Sequence, residues 1–444
     1  MQTELEPRTL TRPREAGSQL LASSTLPVRQ KVPALGKTNA IIGWILQGGV
    51  MLSAAVILFG LILFPFRAGG FSTERLLTFP QTLSEVWAGL LVLRAQAIIT
   101  LGLLLLIATP VLRVAVSVAA FALERDRRYV VITLGVLAIL LVSIFVVGNV
   151  VTHGHEATIA QLHFSYLTVI LIFAGAIAAG LLGSLVGLGG GVLIVPLLTL
   201  AFGFPIYFAI GASIISVIAT SSGAAAAYVR DRLTNLRVGM FLELATTAGA
   251  ICGAFVAGLL APGILAVIFG IILLVSAAPI LFKLGEELPK GVKSDRWATW
   301  LRLNGTYPDA HLGMEVSYSV TRTPLGMAMM YIAGLISGLL GIGSGTFKVL
   351  ALDTIMRLPM KVSTTTSNFM IGVTAAASAG IYFSRGDIPP MIAAPVALGI
   401  LIGALVGARL LLHLSNRTLR LIFLPVIVAA AIEMMLHGLG VGPF

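Results

Sequence analysis

Long apolar runs separated by short polar stretches dominate this chain. Three come first, at about 39–64, 95–122 and 129–151, and others lie near 207–228, 238–260, 264–282, 361–383, 390–412 and 418–437. A hydrocarbon core about 30 Å thick is crossed by roughly 20 apolar residues of α-helix. The pattern therefore predicts an all-α integral membrane protein, a polytopic bundle of helices.

Composition agrees with a lipid bilayer as the solvent. The 444 residues are 57% hydrophobic and 11% charged, whereas soluble proteins carry roughly a quarter charged residues. The net charge of +11 comes from basic residues in short loops between apolar runs, which is how membrane topology is encoded. We therefore expect a bilayer, and no nucleic acid, as partner.

Polar stretches divide the chain into blocks. Residues 1–38 lack an apolar core and predict a disordered cytoplasmic tail without a cleavable signal peptide. Residues 39–151 form a three-helix membrane block, and the polar stretch 283–323 reads as a cytoplasmic linker. It separates two larger blocks, 166–282 and 324–437.

The two larger blocks are predicted to be copies of one unit. A shift of 154 residues without a gap superposes them, and roughly a quarter of the positions then match. The aligned pairs include Gly180 with Gly334, Pro205 with Pro359, Thr220 with Thr374, and Tyr228 with Tyr382.

The distribution of cations predicts how the copies are oriented. If the tail is cytoplasmic and each glycine-rich stretch turns back within the membrane, 24 of the 29 Lys/Arg are cytoplasmic. Arg67, Arg75 and Arg385 are then external, and Arg94 and Lys348 lie near or within the membrane. Each copy makes an odd number of crossings, so we predict inverted repeats, each with a re-entrant or hairpin helix.

Glycines interrupt an apolar stretch at the same place in both copies. They are Gly187, Gly189, Gly190 and Gly191 in the first, and Gly341, Gly343 and Gly345, with Ser344, in the second. Broken backbone at membrane depth persists only where protein or a watery cavity satisfies it. A short helix restarting after each break would point its N–H groups at the break and favour an anion. Close helix packing by small residues is the alternative.

Lys348 is the candidate counter-charge for such an anion. It lies three residues past the second glycine motif, and a cation within a span defaults to a functional role. The alternatives are an ion pair with Asp353 or an ammonium group that reaches the membrane interface.

Hydroxyl and amide groups beside the breaks are further candidates for binding an anion. Ser213 and Ser367 correspond in the two copies, and Asn368 follows directly. Hydrogen bonds to their own helix backbone are the alternative use of these groups.

Two acids lie in apolar segments. Glu243 or Glu433 could carry a coupling proton, but Glu243 is close to an arginine-rich loop, which favours an interfacial position.

Other chemistry is not predicted. His153, His155 and His163 lack the cysteine or acidic partners of a metal site. The chain has no Walker motif and no nucleophile–base constellation, so we expect neither an enzyme nor a cofactor.

The glycine motifs carry a family resemblance. The segments GLLGSLVGLGGGVLIVPLL and SIISVIATSSGAAAAY, with their second-copy equivalents GLISGLLGIGSGTFKVL and TTTSNFMIGVTAAASAGIYF, resemble the sulfite exporter TauE/SafE permeases. The resemblance implies export of sulfite, an organosulfonate or a related small anion, with the two motif regions lining its path. Ser344, Lys348 and Leu350 depart from the pattern. Residues 39–151 resemble an uncharacterised three-helix domain and imply an accessory role.

We therefore expect a secondary transporter of a small anion, working by alternating access in the plasma membrane with a cytoplasmic N-terminus. The N-terminal helices are the candidate surface for a homo-oligomer or a partner protein. The alternatives are a non-transporting membrane sensor or scaffold, and a transporter of another inorganic ion.

Overall fold

A computed structural model of the protein describes residues 34–66, 79–80, 82–147, 165–186, 190–230, 233–282, 292–309, 314–410 and 416–441. The predicted all-α membrane architecture is confirmed. Seven helices in these ranges are long and apolar enough to cross a membrane. The sheet structure of the described residues is a single two-stranded hairpin.

The N-terminal block is built around one long helix. Its elements are α1 (Ala34–Leu63), α2 (Leu83–Leu91), α3 (Ala95–Leu123) and α4 (Arg127–Val142), the last extended by a π-turn, Ser143–Val147. α1 and α4 both pack against α3, so α3 is the centre of this block.

Each of the two larger blocks contains a broken helix followed by three long helices. The first block consists of α5 (Tyr166–Val186), α6 (Gly191–Pro196) with a π-turn (Leu197–Ala201), α7 (Ile206–Arg230), α8 (Leu236–Ala257) and α9 (Pro262–Phe282). Between the blocks lie α10 (Arg296–Trp300), β1 (Gly305–Asp309) and β2 (Met314–Tyr318). The second block consists of α11 (Thr323–Leu340), α12 (Gly345–Leu350) with a π-turn (Ala351–Ile355), α13 (Met360–Ser384), α14 (Pro390–Leu410) and α15 (Asn416–Gly438).

Helix boundaries repeat at the offset read from the sequence. α12, its π-turn and α13 begin and end 154 residues after α6, its π-turn and α7. The packing of helices repeats as well. α5 of the first block packs on α14 of the second. The helices that correspond to them, α11 and α8, pack on each other in the same way. α7 packs on α13, and α9 on α15. The sequence repeat is therefore also a repeat of structure.

Corresponding glycines make these reciprocal contacts close. A Cβ added to Gly180 would meet the main chain of Ile400, and one added to Gly334 would overlap the main chain of Thr246, the residue that corresponds to Ile400. Only glycine lets helices approach to backbone contact here.

The two ends of α8 identify the two ends of the bundle. Arg237, in its first turn, forms an ion pair with Asp126 at 3.2 Å, in the turn between α3 and α4. At the other end Arg385 donates to the carbonyl of Ala254 at 2.8 Å. The loops after α7 and after α13 correspond in the two copies and lie at opposite ends of α8.

The polar stretch that contains α10, β1 and β2, here called the polar subdomain, lies at the same end of the bundle as Arg237. Tyr129 donates its hydroxyl to the Leu301 carbonyl at 2.7 Å, and Arg128 donates to the Trp300 carbonyl at 2.6 Å. The arginine-rich turns and the basic linker thus share one end of the molecule, which is the grouping that the charge pattern predicts.

Candidate functional site

The two glycine breaks meet inside the bundle. α6 begins at Gly191, and a Cβ added there would lie 3.4 Å from the carbonyl oxygen of Gly341 in the second break. The Ser213 hydroxyl lies 2.8 Å from the Gly191 carbonyl and 2.9 Å from that of Gly341, so it ties the breaks together. Gly190 is buried beside Gly191, whereas Gly187 and Gly189 lie outside the described residues.

The second break uses left-handed backbone. Gly341 and Gly343 have φ of +69° and +71°, which glycine adopts without steric cost, and Ser344 has φ of +46°. A serine in this region carries strain of roughly 1–2 kcal/mol. Its buried hydroxyl has no hydrogen-bond partner among the described residues, so one donor and acceptor at the break is left free.

Ser367 repeats the role of Ser213 in the other copy. Its hydroxyl donates to the carbonyl of Gly345, the first residue of α12, at 3.3 Å. Ser213 and Ser367 thus bond carbonyls of the interrupted helices, both 22 residues earlier in the chain. In this structure their hydroxyls hold the breaks in shape. The Asn368 carbonyl accepts a hydrogen bond from Ser221 on α7 at 2.5 Å.

A charged centre lies beside the breaks. Lys348 on α12 is fully buried and donates to the Thr374 hydroxyl on α13 at 2.6 Å. That hydroxyl donates in turn to Oε1 of Glu243 on α8 at 2.7 Å, and Thr247 lies 3.4 Å from the same oxygen. The Thr374 hydroxyl thus connects the ammonium group of Lys348 to the carboxylate of Glu243 in a hydrogen-bonded relay, and the two charged groups are linked through the hydroxyl.

The burial of Glu243 corrects an expectation from the sequence. Its side chain is 1% exposed, so the interfacial position is wrong. α8 begins at Leu236, which places Glu243 about two turns inside the helix. Lys348 contacts Thr374 rather than the interface or Asp353. Oε2 of Glu243 has no hydrogen-bond partner in the described part of the chain.

The centre belongs to one side of the repeat. The positions that correspond to Lys348 and Glu243 are Ile194 and Ala397, both buried and apolar. Thr220 corresponds to Thr374, but the partners of its hydroxyl among the described residues belong to its own helix, with the Ser216 carbonyl at 3.1 Å. The two copies share the breaks but not the charges.

Arg113 is a further central residue that the sequence analysis missed. It lies within α3 and is fully buried, so its inclusion among the 24 cytoplasmic cations was wrong. Nη1 donates to the Phe369 carbonyl at 2.5 Å, and Nη2 donates to the Ser222 hydroxyl at 3.3 Å. The rule that singled out Lys348, a cation within an apolar run, applies equally to Arg113 and could have found it.

Two candidates from the sequence remain. Glu433 is half-buried in α15. The histidines at 153, 155 and 163 lie outside the described residues.

Comparison with known proteins gives two family matches. The family described as "Sulfite exporter TauE/SafE" matches residues 171–434, and the family described as "Protein of unknown function (DUF1634)" matches residues 42–145.

Curated relatives agree with the longer match. The "Probable membrane transporter protein YunE" of Bacillus subtilis is 26% identical over 279 residues, which cover 61% of this chain and 98% of that protein. The "Probable membrane transporter protein YdhB" of the same organism is 27% identical over 232 residues, 52% of this chain and 85% of that protein. The "Probable membrane transporter protein MamO" of Magnetospirillum gryphiswaldense is 26% identical over 279 residues, 59% of this chain and 44% of that protein. No solved structure matches the chain.

Proposed function

The chain belongs to the sulfite exporter TauE/SafE family of membrane transporters, and we propose that it exports a small anion such as sulfite or an organosulfonate across the cell membrane. It does so as a secondary transporter by alternating access. The N-terminal tail is cytoplasmic in this proposal.

The buried centre carries the proposal. A charge within a membrane protein is costly unless it is paired. Lys348 and Arg113 are both fully buried, and Glu243 is the acid in electrostatic range of both. With all three ionised, one positive charge remains unbalanced. A bound anion supplies the missing charge, whereas a cation would add to the excess.

The glycine breaks support the place and the mechanism. They meet at Ser213 between the two copies, and the charged centre adjoins the second break. Loops that correspond in the copies lie at opposite ends of α8, which suits inverted repeats that rock around a central site. In this scheme the substrate is held where the copies meet.

Export follows from the electrical gradient. A negative-inside membrane potential favours anion efflux by about 2.3 kcal/mol per charge per 100 mV. Outward movement of an anion therefore needs no ATP.

A thermal-shift screen of the purified protein tests anion binding. The probes are sulfite, sulfate, thiosulfate, sulfoacetate and taurine. A bound anion at 100 times its Kd stabilises the folded protein by about 2.7 kcal/mol. We expect at least one probe to raise the unfolding midpoint of the wild type and to lose this effect in Lys348→Met.

Lys293→Met is the matched control, because Lys293 is exposed in the polar subdomain, and it should respond as the wild type does. No shift with any anion would favour a membrane scaffold. An undiminished shift in Lys348→Met would place the binding site elsewhere.

A further inference from the structure

The N-terminal block reaches into the transporter repeats through α3. This helix packs against α7, α13 and α14, which come from both copies. Arg113 lies in its interior, and none of its side chain is exposed. The block that matches a family of unknown function thus places a cation within the bundle of the transporter.

Among the described residues, the hydrogen-bond and ring partners of the Arg113 side chain are neutral groups. They are the Phe369 carbonyl, the Ser222 hydroxyl and the Phe369 ring, whose centroid is 4.9 Å from the guanidinium carbon. Nε has no hydrogen-bond partner among the described residues. A buried guanidinium that meets no carboxylate directly retains the capacity to bind an anion.

Ser221 of α7 contacts the backbone of α13 where Arg113 meets it. Ser221 donates its hydroxyl to the Asn368 carbonyl at 2.5 Å and accepts from the Gly372 N–H at 2.9 Å. The hydroxyl thereby contacts a donor and an acceptor four residues apart, the spacing of one α-helical hydrogen bond. Gly372 leaves room for this, since a Cβ there would lie 2.8 Å from the Ser221 hydroxyl and 3.5 Å from Nη2 of Arg113.

This region has no counterpart in the other half of the bundle. Ser221 and Ser222 correspond to Ala375 and Ala376, and Gly372 corresponds to Ile218. The polar groups that receive Arg113 are therefore not repeated at the corresponding positions of the other copy.

We propose that Arg113 is an anion-binding residue of the transport site, supplied by the N-terminal domain. It provides a second buried cation in addition to Lys348, and Glu243 offsets one of the two charges. This assigns the N-terminal domain a direct part in binding substrate, and it rests on the proposed anion transport.

Charge rescue tests the proposal, with the sulfite Kd of the full-length protein as readout. Arg113→Gln lowers the net charge of the three residues from +1 to zero and should raise the sulfite Kd by about tenfold or more. Adding Glu243→Gln restores the net charge of +1 and should recover most of the affinity. Arg94→Gln, at the exposed N-cap of the same helix, should leave the Kd unchanged.

The outcomes separate this inference from the proposed function. If the wild type binds sulfite and Lys348→Met loses it, but Arg113→Gln keeps the wild-type Kd, the role of Arg113 is refuted and the proposed function stands. If Arg113→Gln loses sulfite affinity and the added Glu243→Gln does not restore it, the role of Arg113 is structural and the inference is overturned. No binding by the wild type defeats the proposed function itself.

If Arg113→Gln alone does not fold, the sulfite Kd of Glu243→Gln is compared with that of the double variant, Arg113→Gln with Glu243→Gln. The double variant removes the acid together with the cation, so Glu243 is not left buried without Arg113. The proposal then requires weaker sulfite binding in the double variant than in Glu243→Gln. Equal affinities would overturn it.

Discussion

At the scale of single residues, Thr374 and Thr220 allow the hydrogen bonds of one position to be compared between the two copies. They correspond in the two copies, but only Thr374 joins Lys348 to Glu243. Thr374→Val keeps the shape of the side chain and removes the link. It leaves the buried ammonium without its acceptor, which costs roughly 1–3 kcal/mol.

We therefore expect Thr374→Val to lower the unfolding midpoint in detergent and to weaken sulfite binding, while Thr220→Val changes both little. Paired thermal unfolding and binding curves of the two variants measure this. Similar effects in both would show that the relay has no special role.

Ser213 and Ser367 are a second corresponding pair whose hydrogen bonds differ. The Ser213 hydroxyl lies within hydrogen-bond distance of two carbonyls, one in each break, whereas the Ser367 hydroxyl has one hydrogen bond to the described residues, of 3.3 Å. Ser213→Ala leaves two buried carbonyls without this donor, at a cost of roughly 1–3 kcal/mol. We expect it to lower the thermal midpoint more than Ser367→Ala does. The reverse order would contradict the placement of Ser213 at the junction.

At the scale of helices, corresponding glycines set how closely the copies pack. In Gly334→Ala the new methyl group would overlap the main chain of Thr246, which forces α11 away from α8. Overpacking of this kind costs typically about 1–3 kcal/mol. Gly223→Ala is the control, because its nearest neighbour would be a Leu401 methyl group at 3.8 Å. Thermal unfolding should separate the two variants, and equal midpoints would mean that α11 does not depend on this contact.

Much of the helical architecture could be predicted from the sequence. The length of the apolar runs gave the spans, and the gapless offset of 154 residues anticipated helices that restart at Gly191 and Gly345. Lys348 was predictable because a cation within a membrane span has a high energetic cost.

The neighbours of Lys348 were not predictable. α8 is apolar on most sides, so its pattern does not reveal which face is buried, and Glu243 was assigned from its distance along the chain to an arginine loop. Arg113 belongs to a different block of the sequence. No local pattern shows that α3 packs between the copies.

At the scale of the molecule, corresponding loops lie at opposite ends of the bundle. The loop after the first π-turn is near α9, since Tyr207 donates to the Leu260 carbonyl at 2.5 Å. The corresponding loop after the second π-turn is near the polar subdomain, since the Thr321 N–H donates to the Met356 carbonyl at 3.2 Å.

Inverted repeats therefore predict opposite sidedness for single cysteines at Ala201 and Arg357, in a background where the exposed Cys252 is replaced by serine. A membrane-impermeant maleimide applied to intact cells should label Ala201→Cys together with Leu259→Cys. Arg357→Cys and Arg302→Cys should react only after the membrane is opened. Labelling of Ala201→Cys and Arg357→Cys from the same side would rule out the inverted arrangement.

Sulfite efflux from proteoliposomes tests the central claim most directly. Vesicles loaded with sulfite are given a potassium diffusion potential, negative inside, and the released anion is followed over time. The account predicts efflux above that of protein-free vesicles, faster as the potential grows, and lost in Lys348→Met but not in Lys293→Met. Efflux no faster than from protein-free vesicles, or equal in the wild type and Lys348→Met, would contradict it.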